Sequence, residues 1–173
     1  IFNMLGPITN PASVKHQVIG VFNPALCEPM AEVLKELGSR HVLVVSAVDG
    51  LDEITLSGET QVAELKNGQV HLYKIKPEDL GIQQQSLDGL SVNSASESLA
   101  LIYEALGKQR TPTAQKAADI IALNAGAAVY VAGIADTLKE GVKMAEDAIG
   151  SGLAKAKIQE LAAFSECCHQ VSS

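Results

Sequence analysis

Short apolar runs and helical patterns alternate in the first part of the chain. Residues 17–22 form a short β-branched run, which predicts a buried strand. Asn23 and Pro24 then supply an N-cap and a proline at the first position of a helix over 24–37. A second continuous apolar run, 42–47, predicts another buried strand. Strand, helix and strand in this order indicate a βαβ unit with two parallel strands.

The helix over 24–37 has one apolar face and is expected to stop at Gly38. Apolar residues recur along it at intervals of three and four positions, as on the buried side of an amphipathic helix. The predicted face consists of Leu26, Met30, Val33, Leu34 and Leu37.

The next segment changes from helical to alternating patterning. Residues 61–65 and 69–75 alternate apolar and polar positions, and Lys66-Asn67-Gly68 between them is a turn sequence. This pattern predicts an antiparallel hairpin. A short turn is expected at 77–81 and a loop over 83–92.

Helical patterns dominate the remainder, at 94–106, 112–132, 137–150 and 153–164, with Thr137 near the start of the third and Gly150 just past its end. The fold class is therefore α/β, with a central, largely parallel sheet, an antiparallel hairpin and flanking helices. Two strands and a hairpin are too few for a complete doubly wound sheet, so we expect an incomplete domain whose other strands lie upstream.

Composition and charge narrow the class of protein. Hydrophobic residues make up 47% and charged residues 19%, as in ordinary globular domains. The formal net charge is −7 and no segment concentrates lysine and arginine, so we expect no nucleic-acid partner. No apolar run is long enough to span a membrane.

The three cysteines have no CxxC spacing, which favours a reducing, cytoplasmic location. Cys167-Cys168-His169 lacks a second ligand pair for a metal.

The segment 49–53, Asp-Gly-Leu-Asp-Glu, is the strongest candidate for chemistry. It follows the predicted strand 42–47, and ligands of open α/β sheets bind at the carboxyl ends of strands. Gly50 permits a turn that would bring Asp52 and Glu53 to one cation, and Mg²⁺ prefers such carboxylate ligands together with water and phosphate. Spacing alone equally allows a solvated acidic turn.

Other candidates have structural explanations beside functional ones. Gly6-Pro7 and Asn10-Pro11 indicate turns or a rigid hinge. The small residues of 124–128, Asn-Ala-Gly-Ala-Ala, are typical of close helix packing. Three histidines, at positions 16, 41 and 71, lie near predicted strand edges without a neighbouring nucleophile and are interpreted as structural or solvated.

Ordered phrases along almost the whole chain resemble anthranilate phosphoribosyltransferases. They begin with IFNMLGPITNPA at 1–12 and continue through QVIGVFNP, VLVVSAVDGLDEITL and AELKNGQV. PEDLG, ALNAGAAVYVAG, DTLKEGVKMAEDAIGSG and LAAFS follow in the same order. The resemblance implies a nucleoside phosphorylase/phosphoribosyltransferase-like catalytic domain over 13–173, preceded at 1–12 by a hinge segment from a helical domain.

The resemblance also implies an activity and a site. The family transfers phosphoribosyl from phosphoribosyl pyrophosphate to anthranilate in tryptophan biosynthesis. By this likeness Asp52 and Glu53 would hold Mg²⁺ on the pyrophosphate, and Gly6 and Pro7 would line the anthranilate channel. Family members usually form homodimers through the helical domain, so this chain is not expected to use the usual interface.

Several family phrases are absent from these residues. The chain contains no GTGGD phosphate loop, no KHGN phrase and no counterpart of the arginine that contacts anthranilate, so the chain alone is expected to be inactive. Ser46-Ala47-Val48 stands where many relatives carry His-Gly, and the loop at 90–94 lacks the commoner Gly-Gly form. A nucleic-acid-binding relative and a nucleoside phosphorylase-like protein on the same scaffold are the alternatives.

Overall fold

The computed structural model describes residues 6–9, 12–108 and 110–171. Within these residues, a four-stranded sheet is flanked by five α-helices. The strands are β1 (His16–Gly20), β2 (His41–Ala47), β3 (Thr60–Lys66) and β4 (Gln69–Ile75). The α-helices are α1 (Cys27–Glu36), α2 (Ala95–Ala105), α3 (Pro112–Val131), α4 (Leu138–Ser151) and α5 (Leu153–Val171). Short 3-10 helices are formed by Gly6–Ile8, Pro24–Leu26 and Pro77–Leu80.

The sheet has the order β1-β2-β3-β4 and is mixed. Strands β1 and β2 are parallel and are joined through α1, which confirms the βαβ unit. The β3–β4 hairpin is also confirmed. The β2–β3 pairing is antiparallel, so the expectation of a largely parallel sheet was wrong for the described strands. The connection at 48–59 contains no helix, and the chain turns back because a parallel return needs a crossover, usually helical.

Helices cover both faces of the sheet, and β2 is buried along its whole length. On one face α1 packs against Val42, Val44 and their neighbours. On the other face α3 packs against Leu43 and Val45, in a core that α4 completes. The sheet therefore lies between two hydrophobic cores. Because β1 and β2 are parallel, the loops that follow them leave the sheet at the same edge, the carboxyl edge of these strands.

The apolar face of α1 differs in part from the predicted one. Met30 and Leu34 are buried as expected, but Val33 and Leu37 are 43% and 56% exposed. Cys27 and Ala31 are buried instead. The α-helix begins only at Cys27, after the 3-10 turn, and its buried stripe therefore follows the i, i+3, i+4, i+7 positions from that residue.

Helices α3 and α4 cross closely, as the small residues of 124–128 predict. A Cβ atom on Gly126 would lie 2.4 Å from the Cα atom of Val142. Thr137 caps α4, but Gly150 lies inside that helix, and Gly152 ends it in a left-handed conformation. Helix α5 extends to Val171, beyond the predicted end at 164. No helix in the described ranges combines the length and apolar character needed to cross a membrane.

Candidate metal site at the carboxyl edge of the sheet

Residues 49–53, called the acidic turn below, leave the carboxyl end of β2 next to the carboxyl end of β1. The turn begins with hydrogen bonds from Gly50 N to Ala47 O, 3.1 Å, and from Ala47 N to Leu51 O, 3.0 Å. Gly50 has a φ of +92°, which confirms that the turn uses its conformational freedom. The sequence-predicted pair, Asp52 and Glu53, thus lies at the sheet edge where ligands of α/β folds bind.

Asp49 organises the acidic turn from within. Its Oδ2 accepts short hydrogen bonds from the hydroxyls of Thr55 and Ser57, and its Oδ1 accepts Leu51 N at 3.2 Å. Burial opposes ionisation of Asp49, but these hydrogen bonds outweigh it and lower the pKa of the carboxyl. Asp49 is therefore an ionised structural acceptor, whereas the two later carboxylates remain available.

Asp52 and Glu53 have no such partners. Among the residues that the structure describes, no hydrogen bond or ion pair is formed by either carboxylate. Asp52 is exposed and Glu53 is half-buried. Burial, and then the charges of Asp52 and Asp49, raise the pKa of Glu53. A cation bound at this position would compensate for the burial of Glu53 and for the repulsion between the carboxylates.

Asn124 and Gly20 contact the two residues that flank Glu53. Ile54 N donates to Asn124 Oδ1 at 2.9 Å, and Asn124 Nδ2 donates to Ile54 O at 2.9 Å. Next to Asp52, a Cβ atom on Gly20 would lie 1.4 Å from the carbonyl oxygen of that residue. The carboxylates therefore project from a turn that is fixed by both β1 and α3.

The donor set fits a hard divalent cation that keeps other ligands. Within the described part of the chain, no group of three His, Cys, Asp or Glu side chains could enclose a metal. Two carboxylates without a cationic partner suit Mg²⁺, which is commonly bound by one or two carboxylates with water and phosphate oxygens completing the octahedron. The chain's own residues could thus hold Mg²⁺ only together with a phosphate ligand or water.

An apolar cavity of about 580 Å³ opens beside the acidic turn. Leu51 and Glu53 form part of its wall, and the loop predicted at 83–92 contributes Leu87 and Leu90. Helices α2 and α3 complete it with Leu101, Ile102, Ile120 and Ile121. Glu53 is therefore the charged group in a largely apolar wall, which agrees with the burial that raises its pKa.

Gly6 and Pro7 lie at the other end of β1. They belong to the 3-10 helix Gly6–Ile8, and Ile8 lines a hollow of about 190 Å³ together with Lys15 and Leu37. The structure does not bring Gly6 beside the acidic pair. Asn10 and Pro11 fall outside the described residues.

A polar network that the sequence did not reveal occupies the amino edge of the same sheet. Glu64 accepts from His41 Nε2 at 2.9 Å, from Tyr130 Oη at 2.7 Å and from Tyr73 Oη at 3.0 Å. Lys66 Nζ donates to Tyr130 Oη at 2.9 Å. These residues come from β2, β3, β4 and α3, so only the tertiary fold assembles them.

His41 is therefore structural, as the sequence indicated, although it is not isolated. Burial alone would raise the pKa of Glu64, but the hydrogen bonds from Tyr130, His41 and Tyr73 outweigh it and lower the pKa. His16 Nδ1 donates to Val131 O at 2.5 Å, and its ring centroid lies 6.5 Å from that of His41. His71 is exposed.

Comparisons with known proteins agree with this architecture. The profile of "Glycosyl transferase family, a/b domain" matches residues 1–155. Anthranilate phosphoribosyltransferases of Cellvibrio japonicus and Hahella chejuensis are 68% and 67% identical over 96% of this chain and 48% of their own length. The chain thus spans about half the length of these curated relatives.

Solved structures show the same fold. The anthranilate phosphoribosyltransferase of Thermus thermophilus superposes with a TM-score of 0.82 at 40% identity, covering 94% of this chain and 47% of that one. The Saccharomyces cerevisiae enzyme, solved in complex with PRPP and Mg, superposes with a TM-score of 0.73 at 22% identity, covering 90% and 44%.

Proposed function

This chain belongs to the glycosyl transferase family, and we propose that it carries the metal-binding part of an anthranilate phosphoribosyltransferase. The observation that supports this most directly is the acidic turn at the carboxyl edge, with two carboxylates that have no partner among the described residues. The 68% identity to the Cellvibrio japonicus transferase supports the choice of reaction. The reaction would join phosphoribosyl to anthranilate in tryptophan biosynthesis.

Asp52 and Glu53 are proposed to bind Mg²⁺ together with the pyrophosphate of phosphoribosyl pyrophosphate. When bound there, Mg²⁺ would neutralise the charge that develops on the departing pyrophosphate. The fixed backbone around Glu53 would orient the two carboxylates before the substrate arrives, and Asp49 would keep the turn closed through Thr55 and Ser57. Mg²⁺ binding in the yeast enzyme's complex with PRPP supports this assignment by fold analogy.

The remaining assignments follow the same resemblance. Residues 13–173 would be the catalytic α/β portion, and residues 1–12 a hinge in which Gly6 and Pro7 line the path of anthranilate. Burial raises the pKa of the Cys27 thiol to about 11, which keeps it protonated and unreactive. A cytoplasmic location is proposed from the cysteine pattern, three residues without a CxxC spacing.

Turnover is the direct test of this function. We expect no phosphoribosylanthranilate from the 173-residue chain alone, because its residues include no glycine-rich phosphate loop, and losing even one preorganised donor costs about 2.7–4 kcal/mol in comparable sites. Fusing the upstream half of the Cellvibrio japonicus transferase to this chain should restore magnesium-dependent formation of the fluorescent product. The unfused upstream half serves as the control.

The same fusion tests the metal assignment. Replacing Asp52 by Asn and Glu53 by Gln should raise the magnesium requirement and lower turnover strongly, while replacing the half-buried Glu59 by Gln should change neither. An inactive fusion that is correctly folded would contradict the proposed reaction. Unchanged magnesium dependence in the double variant would contradict the metal ligands.

The oligomeric state of the 173-residue chain can be tested separately. The family dimer is proposed to form through the helical domain, and the 173-residue chain should therefore not form it. Light scattering on the isolated chain and on the fusion should give a different oligomeric state for the two. The family interface in a crystal of the isolated chain would contradict this expectation.

A further inference from the structure

One side chain from α3 holds the residue that follows the acidic pair. Asn124 accepts from Ile54 N and donates to Ile54 O, each at 2.9 Å. Its Nδ2 also donates to Ile120 O at 3.0 Å, which fixes the amide against its own helix. Ile54 is 1% exposed. Both polar groups of a buried peptide segment are thus satisfied by one amide side chain.

This arrangement differs from ordinary helix packing. The hydrogen bonds of the Ile54 N–H and C=O groups, among the described residues, both go to Asn124. Without Asn124 the two groups would be left unsatisfied in a buried position, and the segment would move to find other partners. The small residues after Asn124 serve the α3–α4 crossing, whereas Asn124 itself faces the acidic turn.

Gly20 limits the position of Asp52, the residue before Glu53. It is the last residue of β1, and any side chain there would overlap the carbonyl oxygen of Asp52, since a Cβ atom would lie 1.4 Å from it. Asp52 immediately precedes Glu53, and Ile54 immediately follows it. The backbone of Glu53 therefore lies between Asp52, which packs against β1, and Ile54, which is hydrogen-bonded to α3.

We propose that Asn124 and Gly20 are positioning residues for the metal-binding carboxylates. They set the backbone from which Asp52 and Glu53 project, so that both carboxylates reach one divalent cation. This inference rests on the proposed function of the acidic turn. Asn124 contacts Ile54 and Gly20 lies against Asp52, so each would act on the metal-binding carboxylates through the backbone of the turn.

The experiment compares Asn124→Ala and Gly20→Ala with a matched control in the isolated 173-residue chain. The control is Asp119→Ala, which removes a different polar contact of α3, the acceptor of Gln85 Nε2 at 2.9 Å and of Gln115 Nε2 at 2.7 Å. Mn²⁺ affinity is measured by electron paramagnetic resonance, and amide hydrogen exchange at Ile54 is measured by NMR without metal. Circular dichroism at low temperature selects the variants that remain folded.

Asn124→Ala should weaken Mn²⁺ binding by about tenfold or more, as loss of an outer-sphere contact commonly does, and should speed Ile54 exchange by roughly 100-fold relative to the core strands. Gly20→Ala should weaken Mn²⁺ binding to a similar extent, and Asp119→Ala should leave both readouts unchanged. Either folded variant with wild-type Mn²⁺ affinity overturns the inference. If the wild-type chain binds no Mn²⁺, the proposed metal site fails. Unchanged Ile54 exchange in Asn124→Ala overturns the positioning role of Asn124 whether or not Mn²⁺ binds.

Discussion

Two glutamates on opposite edges of one sheet have opposite environments. Glu64, at the amino edge, accepts three hydrogen bonds from His41, Tyr73 and Tyr130. Glu53, at the carboxyl edge, forms none with the described residues. Accordingly the pKa of Glu64 is lowered, and the pKa of Glu53 is raised by burial and by neighbouring carboxylates.

The difference separates a structural carboxylate from one available to a ligand. Burying a charge is unfavourable unless hydrogen bonds or an opposite charge compensate for it. The fold supplies that compensation at Glu64, and the carboxyl edge lacks it at Glu53. Glu53 should therefore contribute little to folding and much to cation binding, whereas Glu64 should do the reverse.

The largest effect should come from removing Glu64. Glu64→Ala leaves three donors without their acceptor in a largely buried network, so we expect a loss of about 3 kcal/mol in the free energy of unfolding. Urea denaturation of the 173-residue chain measures it. Glu59→Ala, which removes exposed ion pairs with Lys74 and Lys76, should change little. Equal losses in the two variants would contradict the structural role of Glu64.

Removing one donor should have a smaller effect. Tyr73→Phe deletes a single hydrogen bond to Glu64 while keeping the ring, and we expect a loss of about 1 kcal/mol. In a double-mutant cycle, Tyr73→Phe should cost much less when Glu64 is already Ala. Additive losses would mean that the two side chains are not coupled.

The contributions of Glu64 and Glu53 to the free energy of unfolding should change with pH in opposite directions. The lowered pKa of Glu64 contributes stability above its ordinary value of 4.5, and this contribution is lost as pH falls through the folded-state pKa. The raised pKa of Glu53 acts in the opposite direction: its contribution is present below 4.5 and is lost as pH rises through the folded-state pKa. The stability deficit of Glu64→Gln should therefore shrink below pH 4.5, and any gain from Glu53→Gln should appear above it. Urea midpoints between pH 3 and 7 measure both, and the same trend in the two variants would refute the contrast.

The smallest effect should come from neutralising Glu53. Glu53→Gln removes repulsion from Asp52 and Asp49, so unfolding free energy at pH 7 should stay constant or rise by at most about 0.5 kcal/mol, because solvent screens a half-exposed group. Thermal unfolding without metal provides the measurement. A clear loss of stability would show that Glu53 has a structural partner.

Local patterns predicted most of the fold. Strand β2 and the β3–β4 hairpin follow from apolar runs and a turn containing Asn67-Gly68. The expectation of a largely parallel sheet failed at the β2–β3 pair, because nothing local distinguishes a return without a helix from a crossover that begins another unit. The exposure of Val33 was not predicted, because the 3-10 turn before α1 shifts which face of that helix is buried.

Only those residues of the site that are adjacent in the sequence could be predicted. Asp52 and Glu53 could be selected because they are adjacent and follow a buried strand. Asn124 was interpreted as part of a packing motif, and its contact with Ile54 spans 70 positions that no local pattern links. Gly20 carried a weak signal, since a glycine in a strand often marks close backbone approach. The acceptor role of Glu64 depends on Tyr130, 66 positions away, and had no sequence signal.

Divalent cation binding by the isolated chain tests the central claim most directly, because the proposed carboxylate ligands both lie in this chain. Mn²⁺ serves as the probe, since carboxylate sites that take Mg²⁺ also take Mn²⁺. Electron paramagnetic resonance should detect one site in the wild-type chain. The variant with both Asp52→Asn and Glu53→Gln should lose at least about tenfold in affinity, whereas Glu59→Gln should retain it. Wild-type Mn²⁺ affinity in the folded double variant would contradict the assignment of the acidic turn as the metal site.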